Sequence, residues 1–415
     1  MVIKEKNNIP AGYKDSAVGI IPQEWEVKRI QEICKVDAKS LSAKTSPNYE
    51  FEYISLSDVD SDSFDISTSH QIFRTAPSRA RRIVSKGDVV ISTVRPNLRG
   101  FFLAKEDKID LIASTGFAVL TPTECDSQYL LSCFFSQIVS KQFYSLVVGS
   151  NYPAVNSSDV AKLKLAVPPM EEQRKIAEIL GVWDEAIEKQ SRLIEKLELR
   201  KRALRQRLLT GRTRLPGFTS PWHKVSYSEI LKEIKRNMTW DDNEEYDLIS
   251  VKRRSGGLFH RESLFGRDIK TKNLRPTLKG DFLISKMQIV HGASGLVTEE
   301  FDGMKISSSY IALIAKDDKL VDMSFINWYS KTPYFYHQTY VSSYGVHIEK
   351  MTFDLESFMS MSIWLPSLHE QKAIAEVLTA ADNEIATHRK KLDALRLQKR
   401  GLMQQLLTGK TRVKI

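Results

Sequence analysis

Two stretches of the chain concentrate side chains that can grip a phosphate or read a base edge. The first, FRTAPSRARRIVSKGD, carries Arg74, Arg79, Arg81, Arg82 and Lys86, and STVRPNLRG adds Arg95, Asn97 and Arg99. The second, SVKRRSGGLFHRESLFGRDIKTKNLRP, carries Lys252, Arg253, Arg254, Arg261, Arg267, Lys270, Lys272 and Arg275; SKMQIVHG follows with Lys286, Gln288 and His291. Lysine and arginine neutralise phosphates, arginine binds guanine edges bidentately, and asparagine or glutamine does the same for adenine. Arg95 and Arg99 follow GDVVIST, and Gln288 and His291 follow the similar GDFLISK. That parallel placement in two otherwise divergent segments makes these turns the candidates for base readout. Any one of these residues, taken alone, is more often a solvated surface group. A net charge of +10 and a pI near 9.2 favour an acidic partner, nucleic acid ahead of an anionic membrane.

Catalytic patterns fail one by one. TGKTR looks like the end of a phosphate-binding loop, but Gln404 stands where the first glycine belongs, and the string closes a helix instead of opening one. NYPA (Asn151–Ala154) lacks the double proline of an Asn/Asp-Pro-Pro-aromatic methyltransferase motif, and GRDIK offers Asp268 and Lys270 without an upstream acidic partner. The eight histidines form no metal-ligand set, so neither a catalytic nor a metal site is expected. MVIKEKNNIPAGYKD has no apolar core of a signal peptide, and no apolar run approaches the roughly eighteen residues that span a bilayer. Cys34, Cys125 and Cys133, odd in number and without ligand spacing, read as reduced thiols of a cytoplasmic protein.

What must position the basic segments is a duplication. Shifted by a constant offset, PPMEEQRKIAEIL…LRQRLLTGRTR aligns without gaps with PSLHEQKAIAEVL…LMQQLLTGKTR, roughly twenty of about 48 pairs being identical. Each copy steps its apolar positions by three and four: Ile176, Leu180, Trp183, Ile187, Ile194, Leu197 and Leu204, then Ile374, Leu378, Ile385, Leu392, Leu395 and Leu402. That is a heptad seam on one long helix per copy. Gly211 and Gly409 mark the stops, and Ser367-x-x-Glu370 predicts a capping box at the second start. Gln190 and His388, and Lys201 and Lys399, interrupt the seam at matching places. Either they fix register, or the seam bends away and exposes them. The helix C-terminal halves are basic, which suits the dipole.

A length of 415 residues, 42% of them hydrophobic, allows more than one core. The segments divide as 1–166 (N-terminal segment and first variable domain), 167–214 (first long helix), 215–364 (second variable domain) and 365–415 (second long helix). Both variable domains read as mixed strand and helix, so the class is α+β. Antiparallel pairing of the helices would relate the halves by a pseudo-two-fold axis. Two divergent domains would then read two different half-sites separated by an unread gap.

The doubled P-x-x-E-Q-x-x-I-A-E-x-L openings (Pro169–Leu180, and Ser367–Leu378 with serine first) resemble the DNA specificity subunits of type I restriction–modification systems. The doubled LLTG[RK]TR closings, GIIPQEW at Gly19–Trp25 and the two KGD-x-x-IS strands strengthen the likeness, which spans essentially the whole chain. The resemblance implies two target-recognition domains joined by two long conserved helices, each domain binding half of a bipartite site on double-stranded DNA. It also implies two methyltransferase subunits docked on this scaffold, carrying the S-adenosylmethionine themselves, with restriction and translocase subunits joining through that core. This chain would hold no cofactor and perform no catalysis. Two other readings stay open: a coiled-coil scaffold that does not bind DNA specifically, and a nucleic-acid-modifying enzyme with an unrecognised site.

Overall fold

The computed structural model describes residues 9–59, 66–106, 110–146 and 154–415. Asn151–Pro153 of NYPA lie outside them. The chain divides into two compact units, Met1–Leu193 with His388–Ile415, and Ile194–Thr387. The units cut across the four segments drawn from the sequence, because each takes half of each long helix.

In the first unit one four-stranded sheet runs in the order Ser69–Ile72, Glu50–Ile54, Leu111–Ser114, Ala80–Val84, with the middle pair parallel. A second runs Cys34–Val36, Phe117–Pro122, Val89–Ser92, Phe101–Leu103, all antiparallel. VVIS is buried at every position, as a strand covered on both faces must be. Helices Ser127–Phe134 and Gln137–Leu146 cover the second sheet, and Phe101, Phe134 and Phe143 meet there. A ribbon pairs Glu26–Arg29 with Lys164–Val167 and leads into the first long helix.

The second unit repeats this plan strand for strand. Leu258–Phe265, Glu245–Val251, Lys305–Ser307 and Leu274–Pro276 form one sheet; Leu231–Glu233, Tyr310–Ala315, Phe282–Ser285 and Ser294–Leu296 form the other. Helices Met323–Tyr329 and Pro333–Val341 take the covering positions, and His223–Ser226 pairs with Ser362–Leu365. The strands read from GDVVISTV, GDFLISKM, GFAVLTP and SYIALIAK all form, and both aromatic stretches are helical.

Each long helix has 39 residues, Met170–Leu208 and Leu368–Leu406. Of the seam, Ile176, Leu180, Ile187, Ile194, Leu197, Ile374, Leu378, Ile385 and Leu392 are buried; Trp183, Leu204, Leu395 and Leu402 are half-buried. The polar interruptions are paired rather than exposed. Gln190 Nε2 lies 2.8 Å from His388 Nδ1 and donates to His388 O; Lys399 bonds Asp184, and Lys201 bonds Asp382. As residue numbers rise along one helix they fall along the other, so within each unit the helix halves are antiparallel. The register-fixing reading therefore accounts for these residues.

The closing arginines of LLTGRTR and LLTGKTR have a sharper task than the helix dipole suggested. Glu172, wholly buried, accepts from Arg412 Nε at 2.8 Å and Nη2 at 3.1 Å and from Trp25 Nε1 at 3.0 Å. Glu370, equally buried, accepts from Arg214 Nε at 2.5 Å and Nη2 at 2.6 Å and from Trp222 Nε1 at 3.2 Å. The end of each helix copy is thus clamped to the start of the other. Each carboxylate, through its hydrogen bonds, raises its arginine's pKa further. The expected capping box is only half made: Glu370 N lies 3.5 Å from Ser367 Oγ, but its carboxylate is turned to Arg214 and Trp222. Arg200 and Lys201 likewise reach across to Glu384 and Asp382, so cross-helix pairing replaces the dipole as the reason for these cations.

The neighbouring glutamines bind the domains to the helices. Gln173 Oε1 accepts from Asp126 N at 2.9 Å and Gln371 Oε1 from Asp322 N at 2.8 Å, each aspartate being the N-cap of a covering helix. Gly211 and Gly409, at φ +67° and +68°, turn the chain back at the helix ends; a Cβ on Gly409 would strike Pro22 at 2.4 Å.

Glu172→Ala strands a buried indole N–H and a guanidinium, and should cost on the order of 3 kcal/mol. Arg200→Ala, from a solvent-exposed pair, should stay within about 1 kcal/mol. Urea denaturation of both variants tests the contrast. The three free thiols are buried, and burial pushes Cys34 and Cys133 up to about 12 and raises Cys125 as well. A thiol reagent at pH 8 should therefore find them unreactive until the protein is unfolded. Because only the unfolded thiols ionise just above their ordinary pKa, stability should fall as pH rises from about 8.5 toward 12.

Candidate nucleic-acid interface

In both units the turn between the last two strands of the GDxxIS sheet is a single 3-10 turn. Pro96–Leu98 joins Val89–Ser92 to Phe101–Leu103, and Ile289–His291 joins Phe282–Ser285 to Ser294–Leu296. The sequence parallel between these turns is a structural equivalence. Their chemistry differs. Arg95, Asn97 and Arg99 are exposed, and both arginines hold left-handed backbone, φ +49° and +56°. Gly292 occupies the corresponding exit in the second unit at φ +73°, where a Cβ would fall 1.8 Å from Tyr336 Oη. A left-handed arginine costs about 1–2 kcal/mol relative to its right-handed state, which the strands on either side of the turn must offset at both positions.

The Arg74–Arg82 segment reaches the same end of the first unit. Arg79 O accepts from Thr115 N at 2.8 Å, while Gly116 O accepts from Thr93 N at 2.9 Å, so Arg79 and the Arg95 turn flank one short turn. Arg74 is exposed and donates to Asn48 Oδ1 at 3.0 Å; Arg81 lies over the Phe73 ring at 5.0 Å. Arg82 is committed inward, 2.8 Å from Asp37. It serves the sheet.

In the second unit the Lys252–Gly257 turn is tied to the Gln288–Gly292 turn: Arg254 N donates to His291 O at 2.6 Å and Ser255 N to Gly292 O at 2.9 Å. Arg254 and Ser255 also hold left-handed backbone, and Ser255 Oγ lies 2.8 Å from Tyr336 Oη. Arg253 pairs with Glu349 at 2.8 Å; His291 Nε2 sits 3.2 Å from the same carboxylate without hydrogen-bond alignment. Gln288 Oε1 is sealed from solvent without a partner, so Gln288 and His291 face inward more than their sequence position suggested. Lys252 lies over Phe259 at 5.3 Å, and Lys286 is half-buried. Arg267 and Lys272 fall elsewhere, toward the far end of the strand Leu258–Phe265, where Lys272 meets Asp242 at 2.6 Å and Arg267 lies over Phe265.

Sequence reasoning missed Glu172, Glu370, Arg214 and Arg412 as a set, and Tyr336 and Glu349 as supports of the second loop pair. The doubled E-Q and T-R at constant offset held the signal for the first set; nothing local marked the second. Among the described residues no cluster of His, Cys, Asp and Glu could hold a metal, and no helix is long and apolar enough to cross a membrane.

Two equivalent loop systems on a duplicated frame define a protein that presents two sets of basic and polar side chains. Residues 22–199 and 220–397 each match the type I restriction modification DNA specificity domain, and the chain belongs to that family. It is a type I specificity subunit with two target-recognition domains, the recognition part of such a system and not its catalyst. The putative type I restriction enzyme MjaX specificity subunit of Methanocaldococcus jannaschii is 26% identical over 438 residues, covering 99% of this chain and 98% of that one. The MjaVIII specificity subunit of the same organism is 25% identical over 421 residues, covering 95% and 94%. The fold is shared with a chain solved in a study of type I R-M complex assembly and conformational transition (TM-score 0.62, 21% identity, 94% and 99% covered). It is shared too with the HsdS subunit of Thermoanaerobacter tengcongensis (TM-score 0.51, 22% identity, 94% and 98% covered).

Arg99→Gly relieves the left-handed backbone and removes an exposed cation. Its stability should be unchanged or higher by up to about 1 kcal/mol, while DNA binding weakens and the slope of log affinity against log salt falls by about one. Urea melts and salt-titrated binding read the two effects separately.

Proposed function

We propose that this chain binds an asymmetric bipartite site on double-stranded DNA, one target-recognition domain per half-site, and scaffolds two methyltransferase subunits. The observation that carries this reading is the equivalence of the 3-10 turns Pro96–Leu98 and Ile289–His291, one frame carrying different side chains in each unit. Like frames with unlike side chains suit two half-sites of different sequence. Arg74, Arg79, Arg81, Arg95, Asn97 and Arg99 would serve one half-site; Lys252, Arg253, Arg254 and Lys286 the other, with Gln288 and His291 shaping that loop from within. Arg267 and Lys272 would make phosphate contacts at most.

The long helices supply support for paired partners. Leu199 and Leu397 occupy the same repeat position, lie off the seam and are 60% and 66% exposed. A doubled apolar contact suits two copies of one protein. S-adenosylmethionine would be held by those methyltransferase subunits, and restriction and translocase subunits would join through them, in the cytoplasm.

The reading is tested by mapping methylated bases genome-wide in the native host with and without this gene. One class of adenine mark at a gapped, asymmetric motif should vanish on deletion. Exchanging residues 19–167 for another target-recognition domain should change one half of the motif only. Unchanged maps in a host that expresses the whole system would sink it.

A further inference from the structure

The second unit carries an apolar tip that its fold does not use. Strands Ser343–Tyr344 and Thr352–Phe353 form a short hairpin whose tip runs from Gly345 to Met351. Val346 is 94% exposed and Tyr344 67%, with Ile348 about half exposed. Solvation of a valine gains nothing, and the hairpin's base is far from loose. Phe353 N donates to Lys286 O at 3.0 Å, Asp354 N to Ser342 O at 2.8 Å, and the buried Phe353 ring meets Phe358 at 5.3 Å. Gly345 is required, since a Cβ there would lie 2.9 Å from Met351 Cα.

The surroundings of the tip are cationic. Lys286 holds the hairpin's base, Arg253 and His291 share Glu349 from the hairpin's own 3-10 turn, and Arg254 adjoins His291. Lys350 is exposed on the hairpin itself. Glu349, the carboxylate within this group, is already matched by Arg253. A rigid apolar point ringed by cations fits a polyanion with an apolar interior, which is duplex DNA; an apolar protein face would need no such ring.

We propose that Val346 is a wedge that enters the base stack of the half-site read by the second unit, unstacking one step while the flanking cations hold the phosphates. Apolar side chains act in this way where proteins open or kink a duplex, at a cost in stacking that added contacts repay. The proposal rests on the DNA-binding reading above. Unstacking by this hairpin would make one step of the site costly or cheap to deform, and so contribute specificity without base-edge contacts.

The test uses the complex with its methyltransferase partners and its mapped site, with 2-aminopurine substituted at each purine of that half-site except the methylated adenine, which a methyltransferase extrudes by itself. Wild type should give a fluorescence rise at one position. Val346→Ala should abolish the rise in the saturated complex and weaken binding roughly tenfold, while Val346→Ile keeps both; unchanged melting temperatures confirm that the exposed substitutions leave the fold intact. Tight, salt-dependent binding with no rise at any position in wild type overturns the wedge and leaves DNA recognition standing. So does a Val346→Ala complex with wild-type affinity and rise. Loss of methyltransferase subunits from Val346→Ala with an unaltered rise would make the tip a protein contact, which also overturns it. Absence of salt-dependent binding by wild type would bring down the DNA reading itself.

Discussion

A carboxylate withdrawn from water must be matched at once, because its desolvation costs several kcal/mol even after relaxation. Glu172 and Glu370 are both wholly buried, and each is matched by a bidentate arginine and an indole N–H. The arginine in each case comes from the end of the other helix copy. That origin decides the arrangement. A parallel pairing would set each buried carboxylate beside another helix start, with no guanidinium in reach, so the same contacts that favour the antiparallel form penalise its competitor. Lys399 with Asp184 and Lys201 with Asp382 repeat the device further along the seam and exclude slipped registers. The doubled heptapeptide is written twice because each copy is the partner of the other copy's beginning.

From these clamps outward the frame is fixed in steps. Trp25 and Trp222 carry the entry of each domain onto its carboxylate; Gln173 and Gln371 carry the N-cap of each covering helix onto the same turn of the long helix. The covering helices hold the GDxxIS sheet, and that sheet ends in the 3-10 turn. The side chains on the turn are therefore several rigid steps removed from the residues that set the fold. The exposed ones are free to differ between units, whereas Pro96 and Ile289, buried beneath the two turns, belong to the frame.

The parts of this plan that repeat locally were legible in the sequence. The heptad phase, the glycine stops and the strands after each KGD need only nearby residues, and all stand where expected. Parts that depend on distant pairing were not. Nothing near Glu370 tells that its carboxylate prefers Arg214 to the backbone of Ser367, because the choice is made by a residue over a hundred positions away. Arg82 read as one more basic residue until Asp37, just past the strand Cys34–Val36, claimed it. The strands Glu50–Ile54 and Glu245–Val251 pair in parallel with partners far along the chain, and parallel pairing leaves no turn signal between neighbours.

The same distinction explains where strain is tolerated. Arg95 and Arg99 hold left-handed backbone in a turn whose ends are anchored by a fully buried strand, so the frame and not the turn's own preference decides their conformation. In the second unit Arg254 and Ser255 are held the same way by backbone bonds to His291 and Gly292. A turn so constrained has already given up most of the freedom that binding would otherwise remove, which leaves more of each contact's energy for discrimination. What such a turn presents then depends on side-chain identity alone. Substitution at Arg95, Asn97 or Arg99 alters only what the turn presents, whereas substitution at Glu172 or Arg412 changes whether there is a frame to present it.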